Sequence, residues 1–225
     1  SPVKDVKQVP SGTIIIRTHG VGPKVIAEAK KQGLNVVDAT CPFVAKAQQK
    51  AKQLQAEGYQ VLIIGEKKHP EVAGILAYTD DQALVIETEA DLKAVKKRAK
   101  IGVVVQTTQS EEKLSLCVAE LALKAKELKV FNTICNATVL RQKAAYKLAQ
   151  EVEVMLVVGG KNSANTNRLA QICRQAGAKT YLVETAAELK KSWFKGVSSV
   201  GVTSGASTPD FLLAEVVAAV KEIGS

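Results

Sequence analysis

Short, continuous apolar runs constrain the fold of this chain more than any other feature. The clearest of them lie at residues 61–64, 101–105 and 154–158, and each is followed by a polar loop and then by an amphipathic stretch. A strand that is apolar along its whole length is buried on both faces, which is typical of a parallel sheet covered by helices on each side. The pattern therefore predicts an α/β fold built on small parallel sheets.

The predicted elements alternate regularly along the chain. Strands are predicted at residues 12–17, 35–37, 61–64, 83–86, 101–105, 154–158, 180–183 and 199–202. Helices are predicted at residues 23–32, 43–57, 89–97 and 110–126, and from residues 70, 138, 163, 186 and 209 onward. Because open parallel sheets bind ligands beyond the carboxyl ends of their strands, a site is expected in the loops that follow the strands.

Two cysteines mark an internal repeat. Cys41 and Cys135 each close a short apolar run and open a helical pattern, where unpaired helix N–H groups favour a thiolate. His69 lies 28 residues after Cys41 and Ser163 lies 28 residues after Cys135, and both fall in a loop between a buried strand and a helix. The fixed offset indicates two tandem α/β units. On position alone, an inert structural role for both cysteines is an equal alternative.

Each unit has a second polar loop, at residues 106–110 and 203–208. The segment that ends in Thr18, His19 and Gly20 matches the closing strand and second loop of such a unit. The chain begins at Ser1 without methionine, so we expect a first unit present only by its tail, with a third cysteine roughly 60 to 70 residues before His19. Three converging thiolates could ligate an iron–sulfur cluster and leave one iron open.

Composition narrows the classes of function. The 225 residues contain 46% hydrophobic residues, and no run approaches the about 18 apolar residues of a membrane span. No signal peptide is expected either. The formal net charge of +9 favours an anionic small ligand, although a solvated lysine-rich helix surface also explains it. Because the lysines are scattered among glutamates without interleaved aromatic residues, nucleic acid is not the expected partner.

The remaining cysteines, Cys117 and Cys173, lie within amphipathic helical patterns. Both are predicted to be small buried hydrophobic residues that do not substitute for a ligand. The four cysteines follow no C-x-x-C spacing, so neither a zinc ribbon nor a disulfide framework is indicated.

Five ordered motifs resemble those of the LytB/IspH family, the 4-hydroxy-3-methylbut-2-enyl diphosphate reductases. They are DATCP at residues 38–42, HPE at 69–71, QTT at 106–108, KNSANTNR at 161–168 and GASTPD at 205–210, and the similarity runs essentially end to end. The resemblance implies a pseudo-threefold trefoil of α/β/α domains, here divided into a first-domain remnant (1–40), a second domain (41–131) and a third domain (132–225). It also implies reductive dehydroxylation of the substrate to isopentenyl and dimethylallyl diphosphate.

Carried over position by position, the resemblance assigns roles to individual residues. Cys41 and Cys135 match two ligands of a [4Fe-4S] or [3Fe-4S] cluster, whose third cysteine ligand is absent from this chain. Glu71 matches the glutamate that delivers a proton, and Thr107 the threonine that orders the proton relay. The positions that match diphosphate-binding residues are His19, His69, Thr108, Ser163, Asn165 and Ser207.

The resemblance also implies a location, a substrate and an electron donor. It implies a cytoplasmic protein that takes an allylic diphosphate substrate, receives electrons from a ferredoxin- or flavodoxin-like donor, and has no nucleic-acid or membrane partner. Without its third cysteine, the chain by itself is expected to lack a normal cluster and to be inactive. Ala164 departs from the family pattern, since relatives often have a second serine there.

Each assigned residue has an ordinary structural interpretation as well. Glu71 could be a carboxylate favoured by the first turn of a helix, and His69 a plain turn residue before proline. Ser163 is a good helix N-cap in its own right, as is Ser110, and Thr107 could be ordinary loop polarity. The alternative function is a non-redox phosphate-ligand-binding protein or isomerase with inert buried cysteines. A basic nucleic-acid-binding module is a further alternative.

Overall fold

The computed structural model describes residue 3 and residues 5–224, in which an α-helix follows eight of the nine strands. The strands are β1 (Thr13–Ile16), β2 (Asn35–Asp38), β3 (Gln60–Ile64), β4 (Leu84–Ile86), β5 (Arg98–Val105), β6 (Ala125–Val130), β7 (Val154–Val158), β8 (Lys179–Val183) and β9 (Val200–Ser204). The helices are α1 (Pro23–Lys31), α2 (Pro42–Ala56), α3 (Pro70–Ala77), α4 (Glu89–Ala94), α5 (Glu111–Ala122), α6 (Asn136–Glu151), α7 (Ala164–Gln175) and α8 (Asp210–Gly224). No helix in this described part is long and apolar enough to cross a bilayer.

The strands form three parallel sheets within the described residues. Their orders are β1-β2, β4-β3-β5-β6 and β8-β7-β9. In the second sheet, β3 pairs with β5 from Gln60 opposite Ile101 to Ile64 opposite Val105. In the third sheet, β7 pairs with β8 on one side and with β9 on the other. The predicted α/β fold with small parallel sheets is confirmed.

The chain divides into two compact units, residues 1–134 and 135–225. In the first unit, α2 and α3 pack on the second sheet through a core that includes Leu54, Ile63 and Ile75. In the second unit, alternate residues of β7 face two different cores, and all five are buried. This two-sided burial explains the unbroken apolar run of that strand. The finer division into three domains, with boundaries after residues 40 and 131, stays a prediction.

The end of the predicted helix at residues 110–126 is wrong. The helix, α5, ends at Ala122, and the next segment is the edge strand β6, Ala125–Val130. In the sequence, the charged side chains of β6 match the pattern of a solvent-exposed helix face. Backbone pairing with β5, from Arg98 opposite Ala125 to Val103 opposite Val130, overrides that local preference.

Other elements also differ from the predictions. The helix predicted at residues 89–97 ends at Ala94, and β5 already begins at Arg98 because its start pairs with β6. The helix predicted from residue 138 begins at Asn136. The helix predicted from residue 186 is replaced by two 3-10 turns, Ala186–Glu188 and Lys191–Trp193. In the second of these turns, Trp193 stacks on Tyr181 with ring centroids 3.9 Å apart.

Substitution of Leu54 tests the assignment of the first-unit core. Its side chain is fully buried on α2, so Leu54→Ala should lower the free energy of unfolding by about 2–5 kcal/mol. Leu116 on α5 is 71% exposed, and Leu116→Ala should change that free energy by less than about 0.5 kcal/mol. Urea unfolding followed by circular dichroism measures both. Equal losses in the two variants would contradict this core.

Candidate active site

Strand order brings two of the predicted loops together in the first unit. The chain leaves β3, forms β4 on one side of it and returns as β5 on the other side. The loops at residues 65–69 and 106–110 therefore lie next to each other, at the point where strand order reverses and open α/β sheets bind ligands. The third sheet repeats this arrangement, with β8 and β9 on opposite sides of β7. Its corresponding loops are residues 159–163 and 205–209.

Glu71 and Thr107 form a buried pair across the two loops of the first unit. Glu71 lies in the first turn of α3 and is 2% exposed. One carboxylate oxygen accepts a hydrogen bond from the Thr107 N–H at 2.7 Å, and the other accepts one from the Thr107 hydroxyl at 2.8 Å. Glu71 is therefore not only a first-turn carboxylate favoured by the helix dipole, because both of its carboxylate oxygens bond to Thr107. The structure brings together the two residues that the resemblance assigned to proton delivery.

Burial governs the pKa of Glu71. Removal from water disfavours the charged form and raises the pKa of this carboxyl, while the two hydrogen bonds from Thr107 act in the opposite direction. A carboxyl whose folded pKa exceeds its unfolded pKa makes the protein lose stability as the pH rises between the two values. Glu71 is thus a group that holds its proton to higher pH than an exposed glutamate does.

The two histidines of the chain lie against each other. The rings of His19, in the turn after β1, and His69, the N-cap of α3, meet edge to face with centroids 5.3 Å apart. Burial lowers the pKa of both, assisted by Arg17 for His19 and by His19 for His69. His69 Nδ1 accepts the Glu71 N–H at 3.2 Å, so a neutral ring carries its proton on Nε2. His69 therefore combines a capping role through Nδ1 with an N–H at Nε2 that can donate a hydrogen bond.

A matching turn precedes each of the repeat-marking cysteines. The Asp38 side chain accepts the Thr40 N–H at 2.9 Å, and the Asn132 side chain accepts the Ile134 N–H at 3.1 Å. In both, the backbone N–H of the residue just before the cysteine donates to the Asx side-chain oxygen two positions earlier. Cys41 and Cys135 are then the N-caps of α2 and α6, with φ and ψ of −57° and 132° in the first and −70° and 130° in the second.

The chemistry of the four thiols separates them into two pairs. Cys41 and Cys135 are half-buried, outside any disulfide, and make no side-chain capping bond. Cys117 and Cys173 are buried, and burial raises the pKa of both thiols, to about 11 for Cys173. Within residues 3 and 5–224, no group of three or more His, Cys, Asp or Glu side chains is arranged to hold a metal ion. The first pair nonetheless fits metal ligation, because these half-buried thiols are held in no disulfide and no capping bond.

The second unit places its predicted polar residues in the loops after β7 and β9. The Ser163 hydroxyl caps α7 by accepting the Thr166 N–H at 3.4 Å, so its alternative role as an N-cap is confirmed. Asn165 is half-buried, and neither polar atom of its amide has a hydrogen-bond partner among the described residues. Ser207 is exposed in the loop before α8. Burial of an amide without a hydrogen-bond partner costs free energy of folding, unless another group binds the amide.

Two glycines that the sequence did not single out make room for these loops. Gly65 and Gly159 follow β3 and β7, each 24 residues after the cysteine of its repeat. A Cβ atom on either would lie 2.7 Å from a side chain of the next helix, Val72 in one case and Thr166 in the other. Val72 and Thr166 also share one offset, 31 residues after the cysteine. The common spacing was visible in the sequence, but its steric reason was not.

Comparisons with known proteins agree with the motifs. The family model described as "LytB protein" matches residues 2–221. The 4-hydroxy-3-methylbut-2-enyl diphosphate reductase of Pelobacter propionicus is 50% identical over 221 residues, covering 98% of this chain and 79% of that protein. The reductase of the same name from Aquifex aeolicus is 48% identical over 214 residues, covering 94% and 74%.

Two solved structures are similar to this chain as well. One is the (E)-4-hydroxy-3-methyl-but-2-enyl diphosphate reductase described as the terminal enzyme of the non-mevalonate pathway, with 48% identity and a TM-score of 0.64 over 93% of this chain and 76% of that one. The other is the E-1-hydroxy-2-methyl-but-2-enyl-4-diphosphate reductase of Plasmodium falciparum, with 29% identity and a TM-score of 0.92 over 96% and 70%.

Replacement of Thr107 tests the electrostatics of the buried pair. Thr107→Val removes the hydroxyl that stabilises the charged carboxyl of Glu71 and keeps the backbone N–H, so the pKa of Glu71 should rise further. A ¹³C NMR titration of the glutamate carboxyl carbons measures the pKa of Glu71. Thr13→Val, at an exposed position on β1, should leave this pKa unchanged. A lower pKa in Thr107→Val would contradict the assigned bond.

Proposed function

Since this chain belongs to the LytB family, we propose that the protein as encoded in full acts as a 4-hydroxy-3-methylbut-2-enyl diphosphate reductase, which removes the substrate hydroxyl to give isopentenyl and dimethylallyl diphosphate. The observation that carries the proposal is the buried Glu71–Thr107 pair beside two histidines, an acid next to phosphate-binding groups. Relatives named as reductases at 48–50% identity favour this function over a non-redox phosphate binder or isomerase.

The proposed diphosphate ligands are neutral donors at loop–helix junctions. In the first unit they are His19, His69 and Thr108, and in the second Ser163, Asn165 and Ser207. Backbone N–H groups at helix N-termini point toward an anion and add the favourable end of the helix dipole. Because the histidines have lowered pKa values, they act as N–H donors rather than as charges near neutral pH.

Glu71 is the proposed proton source for the departing hydroxyl. Its raised pKa keeps a fraction of the carboxyl protonated closer to neutral pH, which suits a general acid. When the proton has left, the N–H and hydroxyl of Thr107 stabilise the carboxylate through two short bonds. The same bonds hold the carboxyl in one orientation, so the proton is delivered from a fixed position.

Cys41 and Cys135 are the proposed ligands of an iron–sulfur cluster, either [4Fe-4S] or [3Fe-4S]. When bound, such a cluster supplies single electrons and an iron that acts as a Lewis acid. The matched Asx turns and N-cap positions support an equivalent role for the two thiols. We further propose a cytoplasmic enzyme that receives electrons from an acidic ferredoxin- or flavodoxin-like protein, because the net charge of +9 complements such a donor.

Glu71→Gln should separate binding from chemistry. The amide keeps the size of the side chain and can still bond Thr107, but it cannot give a proton, so turnover should fall by about 10²-fold or more. The dissociation constant of inorganic pyrophosphate should change less than about threefold, because Glu71 is not a proposed phosphate ligand. Steady-state kinetics and calorimetry on the protein as encoded in full measure the two effects. Unchanged turnover would refute the acid role.

Serine substitution of the proposed ligands should reduce iron binding. In the protein as encoded in full, Cys41→Ser or Cys135→Ser replaces a thiolate with a weak ligand, so iron and acid-labile sulfide per protein should fall severalfold after anaerobic reconstitution. Cys117→Ala is the matched control, since Cys117 is buried within α5. Iron analysis and visible absorption report the result. If either serine variant keeps the full iron content, that cysteine is not a ligand.

A further inference from the structure

The loops after β3 and β7 each contain a tight turn with a lysine at its second position. In the first unit, the His69 N–H closes the turn on the Glu66 carbonyl at 3.0 Å, and an equivalent bond of 2.9 Å closes residues 160–163 in the second unit. The lysines are Lys67 and Lys161, each 26 residues after the cysteine of its repeat. Each turn therefore ends on a proposed phosphate ligand, two residues after the lysine.

In the first unit, Lys67 is bonded twice to the segment that follows the neighbouring strand β4. Its backbone N–H donates to the Glu87 side chain at 3.2 Å, and its ammonium group forms a salt bridge with Asp91. The Asp91 carboxylate also accepts the Glu87 N–H at 3.1 Å, so the three residues are bonded to one another. These three residues form the first clamp, which ties the turn after β3 to the segment after β4.

The second unit repeats all three bonds. The Lys161 N–H donates to the Glu184 side chain at 2.9 Å, and its ammonium group bonds the Glu188 carboxylate at 2.7 Å. The Glu188 carboxylate in turn accepts the Glu184 N–H at 3.2 Å. As in the first unit, the two acids lie four residues apart and the first of them directly follows the side strand, here β8. These residues form the second clamp.

Shared secondary structure does not explain the repeated clamp. Asp91 is the third residue of α4, whereas Glu188 ends the 3-10 turn Ala186–Glu188. Only the bonds to the lysine turn are common to both places. Mutual bonding lowers the pKa of Glu188 and raises the pKa of Lys161, so both groups stay charged near neutral pH. The recurrence of the bonds on different local structure indicates a requirement of the turn.

The clamps leave the lysine ammonium groups engaged. A lysine two residues before a phosphate ligand would itself be a suitable partner for the anion. In both units, however, the ammonium group is paired with a carboxylate that also accepts a backbone N–H. An exposed ion pair alone stabilises little, but one that belongs to a bonded network restricts the geometry of the loop.

We propose that Lys67 and Lys161 are positioning residues, whose clamps fix the turns that present His69 and Ser163, and that neither lysine binds the diphosphate. The effect on affinity rests on the proposed function, in which His69 and Ser163 bind phosphate. The fixed position of the turns does not depend on a ligand.

Glu188→Gln distinguishes positioning from direct binding by the sign of its effect. The amide keeps the size of the side chain and an acceptor for the Glu184 N–H, but it lacks the charge that holds the Lys161 ammonium. Affinity of the protein as encoded in full for inorganic pyrophosphate, measured by calorimetry, should fall about two- to fivefold, and equally in Lys161→Met. A lysine ligand held back by Glu188 would instead be released, so higher affinity in Glu188→Gln would overturn the proposal.

A double variant and a matched control complete this test. If the two residues act as one clamp, Lys161→Met combined with Glu188→Gln should lose no more affinity than either single variant, and additive losses would contradict the clamp. Glu57→Gln is the control, because it breaks the Lys129–Glu57 pair of 2.6 Å, outside both loops, with the same change in net charge. Its affinity should match that of the wild type. An equal loss in this control would trace the effect to net charge and refute positioning.

The first clamp is tested on its lysine, because Asp91 also accepts the Thr88 N–H at the start of α4 and its replacement would disturb that helix. Lys67→Met should lower pyrophosphate affinity about two- to fivefold. Lys67→Arg keeps a charged donor for Asp91 and should retain the affinity of the wild type. Equal losses in the two variants, or no loss in Lys67→Met, would overturn the role of Lys67.

Hydrogen exchange measures the position of the turn without a ligand. Loss of the second clamp loosens the turn, so exchange of the Ser163 amide, followed by NMR, should accelerate about threefold or more in Lys161→Met and in Glu188→Gln. Wild-type exchange rates in both variants would refute the inference whether or not pyrophosphate binds. If exchange accelerates as expected but the wild-type protein does not bind pyrophosphate, the proposed function fails and the clamp stands.

Discussion

The parallel pairing of β3 with β5 is the constraint on which the first-unit site depends. These strands are about 40 residues apart along the chain, and a helix, a strand and a second helix intervene. Because they are neighbours, the loops after them are adjacent, and Glu71 can bond Thr107 although 36 residues separate the two. Burial and the bonds to Thr107 then set the pKa of Glu71 in opposite directions. The acid chemistry proposed for Glu71 thus follows from the order of strands in one sheet.

The repeat has a physical basis that goes beyond similar spacing. Each cysteine follows an Asx turn made by a residue three positions earlier, Asp38 in one case and Asn132 in the other. The exchange of a carboxylate for an amide shows that the turn needs an acceptor oxygen and not a charge. The bonded N–H belongs to the residue just ahead of the N-cap, and neither cysteine side chain makes a capping hydrogen bond. Equivalent local geometry keeps both thiols available for ligation.

Agreement between sequence and structure was best where burial dictates the pattern. The runs at 61–64, 101–105 and 154–158 became β3, β5 and β7, since only a strand covered on both faces reads as apolar throughout. Prediction failed for β6, whose charged residues match a helix surface, and for the 3-10 turns near Trp193. The strand β6 pairs with β5, and Trp193 stacks on Tyr181 of β8. Local propensity holds no information about such contacts.

The sequence by itself determined the α/β class, the offsets that mark the repeat, and the residue types available for acid, phosphate and thiolate chemistry, because these follow from short patterns along the chain. Only the tertiary structure decided that Glu71 is buried against Thr107, that His19 meets His69, and that Gln106 joins two loops. Each of these contacts joins residues at least 36 positions apart. Strand order in the second sheet brings Glu71 to Thr107 and Gln106 to Glu66, whereas His19 reaches His69 from the end of a strand in a different sheet. Burial and hydrogen-bond partners set pKa values and proton direction, so those properties belong to the folded protein.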